Sequence, residues 1–188
     1  MTYCDYIQTG TDENILFHKE YHDTQYGFPL DDDNELLGRL ILEINQAGLN
    51  WTIILKKQEN FRMAYHNFNV DRIAKYSEKD IERLLGNAGI IRNRLKIRAA
   101  VHNAQVIQEL RASHGSFKQW LDVQVCVTKE EWTKLFKKTF KFTGGEIVNE
   151  FLMSTGYLPN AHAETCPIYK KILKQKPMWT KKIKTKKS

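Results

Sequence analysis

The chain has 188 residues, 41% hydrophobic and 27% charged, with a formal net charge of +7. That length can bury a sizeable core in one domain or two small lobes. Its apolar runs are only a few residues long, which excludes a membrane-spanning helix. The start, Met-Thr-Tyr-Cys-Asp-Tyr-Ile, lacks the basic and apolar regions of a secretory signal, and three scattered cysteines suit a reducing cytoplasm better than a disulfide framework. The charge is unevenly placed. Residues 168–188 hold nine lysines and no acid, so +7 less nine leaves residues 1–167 at −2. The expectation is one domain over 1–167 and a flexible lysine-rich tail over 168–188, serving either solubility or sequence-blind attraction to phosphates.

Taken in order, the pattern is helical. Asp33 is placed to cap a helix in which Leu36, Leu37, Leu40, Ile41 and Ile44 recur at helical spacing. A second helix starts near Thr52 and carries Ile54, Leu55 and Phe61. Ser77-Glu-Lys-Asp80 reads as a capping-box variant ahead of Ile81, Leu84 and Leu85. Gly86-Asn-Ala-Gly89 breaks the chain, and a long helix runs from about Arg92 to Ser113 and stops at Gly115. Thr128-Lys-Glu-Glu131 opens another helix through Phe136, and Gly145 precedes a last apolar helix over Ile147 to Met153. Valine alternation occurs only at Val123 to Val127. The fold class is all-α.

Three constellations carry chemistry. Glu43 lies late in an apolar run, followed by the Ala47-Gly48 break, Leu49 and Trp51. An acid that is costly to bury, beside an aromatic plate and a glycine turn, suits a pocket for a flat, polar or cationic ligand. The competing reading is a helix end with Trp51 as core filler. Helix, then Leu85-Gly-Asn-Ala-Gly-Ile90, then the cations Arg92, Arg94, Lys96 and Arg98 has the form of a helix-hairpin-helix. Backbone amides at such a turn grip a phosphate, although glycine between helices is also an ordinary connection. Finally, three residues separate His162 from Cys166, and Cys4 and His22 stand at the other end. Two cysteines and two histidines make a closed tetrahedral zinc set, yet dispersed Cys and His more often serve packing.

Together these residues resemble one family. Cys4, Tyr21-His22-Asp23, Tyr26-Gly27, Pro29, Glu43, Gln46-Ala-Gly-Leu49, Trp51 and Leu55-Lys-Lys57 carry the likeness. It continues through Glu59-Asn-Phe-Arg62, Ala88-Gly-Ile-Ile-Arg92, Phe140-Lys-Phe142, Gly144, Gly156, Asn160, His162 and Cys166. The chain is similar to the bacterial 3-methyladenine DNA glycosylase I family, within the helix-hairpin-helix glycosylases, over nearly all of residues 1–166. Ala161 departs from the family's Asn-Asp-His, and Tyr6 and Tyr26 stand where tryptophan is common.

The resemblance implies base excision repair: flipping of the damaged nucleotide from double-stranded DNA containing alkylated bases, hydrolysis of its N-glycosidic bond without strand cleavage, and free 3-methyladenine as product. It implies that Glu43 accepts hydrogen bonds from the base, as recognition first and direct catalysis second. Trp51 stacks on the cationic base and Tyr21 completes the pocket, with Tyr6 and Tyr26 as further base-contact candidates. Leu49, after Gly48, would wedge into the duplex, while Gly89, Arg92, Arg94 and Lys96 would contact DNA. One structural zinc on Cys4, His22, His162 and Cys166 would join the termini, and the protein is expected to act as a monomer. An enzyme for another alkylated base and a non-enzymatic DNA-binding module are the alternatives.

Overall fold

The computed structural model describes residues 2–126 and 128–185, with side chains as far as Lys181. Every regular element among them is a helix. The chain divides into two compact units, residues 31–148 and residues 1–30 with 149–188.

The first unit begins with α3 (Asp33–Gln46), α1 and α2 belonging to the other. Its N-cap is Asp32, which accepts from the amides of Asn34 and Glu35, and not Asp33 as the sequence pattern suggests. Asp33 instead turns inward, accepting from Arg111 Nε at 2.8 Å, Phe117 N at 3.0 Å and Lys118 N at 3.1 Å. Burying that carboxylate is tolerable because each oxygen is met by a donor. The periodic leucines and isoleucines of α3 are buried as expected. They pack against α4 (Trp51–Ala64), α7 (Arg94–His114) and α8 (Phe117–Asp122). α5 (Val70–Ile73) and α6 (Glu78–Leu85) lean on α7. The capping box read from Ser77/Asp80 is formed, and Thr128 and Glu131 form another that opens α9 (Lys129–Thr139). Trp120, Phe136 and Phe140 interlock with Phe117 as a buried aromatic cluster. Residues 123–126 contribute no strand, and Val127 lies outside the described residues.

The second unit holds α1 (Tyr3–Thr9), α2 (Ile15–Thr24), α11 (Pro167–Lys174) and α12 (Met178–Thr185). It also holds the end of α10 (Gly145–Ser154), which crosses the boundary in sequence. Thr2 and Asp5 form a capping box at the start of α1. The lysine-rich segment expected to be flexible contains α11 and α12. Pro167 fits the first helical position, where a missing N–H costs nothing, and Ile168 and Ile172 bury one turn apart.

Candidate functional site

The termini supply the most complete constellation. Cys4 on α1, His22 on α2, and His162 and Cys166 ahead of α11 are all buried, their ligand atoms within 4.8 Å of one another. Four sulfur–nitrogen separations lie close together: Cys4 Sγ to His22 Nε2 at 3.4 Å and to His162 Nδ1 at 3.7 Å, then Cys166 Sγ to the same atoms at 3.7 and 3.6 Å. With metal–ligand lengths of about 2.3 Å for sulfur and 2.0 Å for nitrogen, a tetrahedron has sulfur–nitrogen edges of about 3.5 Å. The donors are therefore spaced for one ion.

Their surroundings orient the rings. His22 Nδ1 meets Asp23 Oδ1 at 2.7 Å, leaving Nε2 for the ion. His162 Nε2 donates to Tyr26 O at 2.8 Å, leaving Nδ1. Such outer partners orient ligating imidazoles. Burial lowers the His162 pKa to about 4, so the ring is neutral near pH 7. Burial also pushes the Cys4 thiol up, against the Ala163 N–H, which donates to Cys4 Sγ at 3.4 Å and favours thiolate. Cys4 and His162 line a cleft of about 690 Å³ with Tyr3, Tyr169 and Trp179, which gives an ion an entry path. The four residues can hold a metal. Asp23 and the Tyr26 carbonyl went unassigned in the sequence; the carboxylate following His22 was the visible signal.

The second constellation is the end of α3. Glu43 is only 4% exposed, three residues before the helix ends. Gly48 follows with φ +82°, a backbone region that strains any side chain-bearing residue, and a Cβ there would meet nothing within 4 Å. Its demand is thus conformational. Leu49 N donates to Gln46 O at 2.7 Å and Gln46 Nε2 to Leu49 O at 3.0 Å, closing the turn. Asn50 caps α4 through Thr52 N, which sets Trp51 in the first helical turn. Glu43 and Trp51 therefore sit on consecutive helices joined by one tight, internally bonded turn.

Lys96 completes that turn, and here the expectation of a surface cation fails. Its side chain is 9% exposed, and Nζ donates to Asn45 O at 3.1 Å and Ala47 O at 2.8 Å. Burial lowers its pKa. An ammonium placed on the last carbonyls of α3 satisfies groups the helix cannot, with the favourable sign for a helix C-terminus. Lys96 is a brace for the turn and not a phosphate contact. The missed signal was phase: Lys96, Ala100, Asn103 and Ile107 follow the spacing of one buried stripe, and all four are buried.

The hairpin is present between α6 and α7. Asn93 caps α7 by accepting from Lys96 N. Neither Gly86 nor Gly89 has a positive φ. Gly89 is instead required by proximity, because a Cβ would lie 2.9 Å from Asn87 Oδ1 and 3.2 Å from Asn60. Lys57 Nζ donates to Ala88 O at 2.8 Å and anchors the turn to α4. Arg94 pairs with Glu82 at 2.6 Å and Arg98 with Glu78 at 2.8 Å, both on α6. Of the four cations only Arg92 is exposed without an ion-pair partner among the described residues.

In the other unit, Tyr21 and Tyr26 are buried with ring centroids 5.5 Å apart. The Tyr6 hydroxyl donates to Asp12 Oδ2 at 2.6 Å and that of Tyr26 to Glu150 Oε2 at 3.2 Å.

The similarity to known proteins is extensive. A sequence model of the family described as methyladenine glycosylase matches residues 12–170. DNA-3-methyladenine glycosylase 1 of Escherichia coli is 34% identical over 168 residues, covering 79% of this chain and 89% of the relative. DNA-3-methyladenine glycosylase of Haemophilus influenzae is 32% identical over 167 residues, covering 79% and 90%. A solved structure of 3-methyladenine DNA glycosylase I from Staphylococcus aureus, concerned with 3-methyladenine recognition, superposes with a TM-score of 0.77. That pair is 30% identical and covers 89% of this chain and 97% of the other. Another structure of 3-methyladenine DNA glycosylase I gives a TM-score of 0.74 at 33% identity, covering 84% and 95%. With the all-helical fold and the buried glutamate already in place, this chain belongs to the methyladenine glycosylase family.

Proposed function

We propose that this protein is a monofunctional DNA-3-methyladenine glycosylase of base excision repair. It would bind double-stranded DNA, turn the alkylated nucleotide out of the stack and let water cleave the N-glycosidic bond. Methylation at N3 makes adenine cationic, so the base leaves with little need for protonation. The observation that carries the reading is Glu43, a carboxylate 4% exposed at the end of a helix whose next turn presents Trp51. A buried carboxylate is stabilised most by a cation or by charge-assisted hydrogen bonds, which the damaged base supplies and neutral adenine does not.

In this reading Glu43 accepts hydrogen bonds from the base, recognition being its first task and direct catalysis its second. Trp51 stacks on the base, where its π-face favours a cation. Tyr21, Tyr6 and Tyr26 keep the base-contact roles that family membership suggests. Gly48 and Leu49 enter the duplex at the extruded nucleotide, and Gly89, Arg92 and Arg94 approach the phosphates. Lys96 acts indirectly, through the turn. Zinc on Cys4, His22, His162 and Cys166 would hold α1, α2 and the start of α11 together and supply stability rather than chemistry. The donor spacing and the hydrogen bonds that orient both imidazoles support that choice. No described helix is long and apolar enough to cross a membrane, and we place the protein in the cytoplasm with its DNA substrate, acting as a monomer.

Incubation of the purified protein with alkylated duplex DNA, followed by separation of the released bases, tests the reading. Free 3-methyladenine and unbroken abasic strands are expected. Tight DNA binding with no base released would instead identify a binding module, and a different base in the supernatant would redefine the substrate.

A further inference from the structure

Several cations of this chain have an acid within reach. Lys19 faces Asp23 at 2.9 Å and Lys118 faces Asp122 at 2.7 Å, each one helical turn along. Lys129 meets Glu146, and Arg62, Arg94, Arg98 and Arg111 all reach carboxylates. α11 is different. Lys170, Lys171 and Lys174, with Lys176 just beyond, are exposed and meet no carboxylate among the described residues. After Glu164 the sequence contains no acid at all.

The helix holds these lysines in a fixed pattern. Ile168 and Ile172 are buried one turn apart, at 6% and 3% exposure, and anchor one side. Lys170 and Lys174 are likewise one turn apart and fall on the opposite side, with Lys171 on the flank. Like charges at that spacing weaken a helix, whereas Lys19 and Lys118 have acids at the same spacing. The helix dipole compensates for Lys171 and Lys174, in the last turn, but not for Lys170. A solubilising surface works with mixed signs, whereas a single-sign face fixed by buried isoleucines is complementary to a polyanion. The match to the family model ends at residue 170, so most of these lysines lie beyond the shared pattern.

We infer that the lysine face of α11 is a second, sequence-independent contact for the phosphate backbone of duplex DNA. The choice of DNA among polyanions rests on the glycosylase reading. Such a surface adds affinity for undamaged DNA, on which a repair enzyme must search, and leaves lesion recognition to other residues.

The test compares the full chain with K170Q/K171Q/K174Q, using undamaged duplex DNA across a range of sodium chloride concentrations. If all three lysines neutralise phosphates, the slope of log affinity against log salt falls by about 2.7, at about 0.9 per contact, and binding in low salt weakens about tenfold or more. K170R/K171R/K174R restores both, because only charge is required. Thermal melting keeps the comparison sound, since Ile168 and Ile172 are untouched. An unchanged slope in a folded variant overturns the inference and leaves the lysines as a solvated face. A loss of binding to vesicles of phosphatidylserine in phosphatidylcholine, without a change on DNA, overturns it in favour of a membrane surface. Because the DNA is undamaged, the slope is independent of chemistry: failure of the wild-type chain to release 3-methyladenine would sink the glycosylase reading alone.

Discussion

In the unit formed by residues 31–148, α3 buries a continuous row of leucines and isoleucines, and α4, α7 and α8 close over it. In the unit formed by residues 1–30 and 149–188, α11 contributes Ile168 and Ile172 to a small cluster with Cys4 and Cys166, against which Phe28, Ala163 and Tyr169 pack. One unit is held by apolar area, which any sufficiently long amphipathic helix can supply. The other is held where distant pieces of chain meet, His22 and Cys166 being 144 residues apart. Four buried ligand atoms where separate segments of chain meet are the situation in which a metal contributes folding energy outright. The unit of residues 31–148 carries Glu43 and Trp51, and the other carries the donor set together with Tyr6, Tyr21 and Tyr26.

The largest effect should come from breaking the donor set. Cys166→Ser in the full chain, or prolonged chelation of the wild type, should destabilise the unit of residues 1–30 and 149–188 by about 4 kcal/mol or more. The unit of residues 31–148 should keep its helical signal. Denaturant titration followed by circular dichroism should then show two transitions in place of one. Elemental analysis of the untreated protein should return one zinc per chain. A metal-free protein with unchanged unfolding would end the comparison as drawn.

Next comes Glu43→Gln, which keeps the shape and removes the charge. Release of 3-methyladenine should fall about 10- to 100-fold, the worth of one charge-assisted interaction in a buried site. Affinity for undamaged duplex should stay within about twofold, because phosphate contacts dominate it. Parallel loss of both would mean that Glu43 supports the fold instead of the base.

The brace formed by Lys96 should be worth less. Lys96→Met removes the donor to Asn45 O and Ala47 O while keeping the apolar stem. Base release from duplex should drop about tenfold, in line with a stability loss of about 1–3 kcal/mol for unsatisfied carbonyls. If the brace acts through Leu49, the effect should largely vanish in a Leu49→Ala background, a non-additivity that a general loss of stability would not produce. Additive losses would disconnect Lys96 from the turn.

How much of this was legible beforehand follows the same division. The helices α3, α4, α6, α7 and α9 announce themselves through apolar periodicity and capping residues, which are local properties, whereas the short α5 and α8 were not read. His162 and Cys166 were legible as a pair from their spacing, but a zinc set that includes Cys4 and His22 stood against a packing reading until the family resemblance favoured it, since nothing local records a contact across 158 residues. The direction of Lys96 was hidden because four nearby cations read as one surface row, although its helical phase placed it on the buried stripe. α11 was hidden in the opposite way, lysine density masking an isoleucine pair one turn apart. Asp33 was misread as the cap because Asp32 and Asp33 are chemically equal, and only the tertiary donors Arg111, Phe117 and Lys118 distinguish them.

Gly89 offers the finest probe of the hairpin. Its backbone has no left-handed demand, so alanine brings no intrinsic strain and even a small gain from reduced unfolded-chain entropy. Against that, the new methyl would lie 3.2 Å from Asn60 and 2.9 Å from Asn87 Oδ1, the atom that accepts from Gly89 N at 2.8 Å. The turn must therefore shift by a few tenths of an ångström away from α4, loosening the bond from Lys57 Nζ to Ala88 O. Gly89→Ala should lower stability by about 1 kcal/mol, with a modest weakening of duplex binding and unchanged affinity for free 3-methyladenine. Asn60→Gly gives the direct check, because it removes both atoms that the new methyl would meet on α4, Cβ and Cγ at 3.2 Å. Measured against Asn60→Gly alone, Gly89→Ala should then cost less. If it costs the same in both backgrounds, close packing on α4 is not the reason for the glycine.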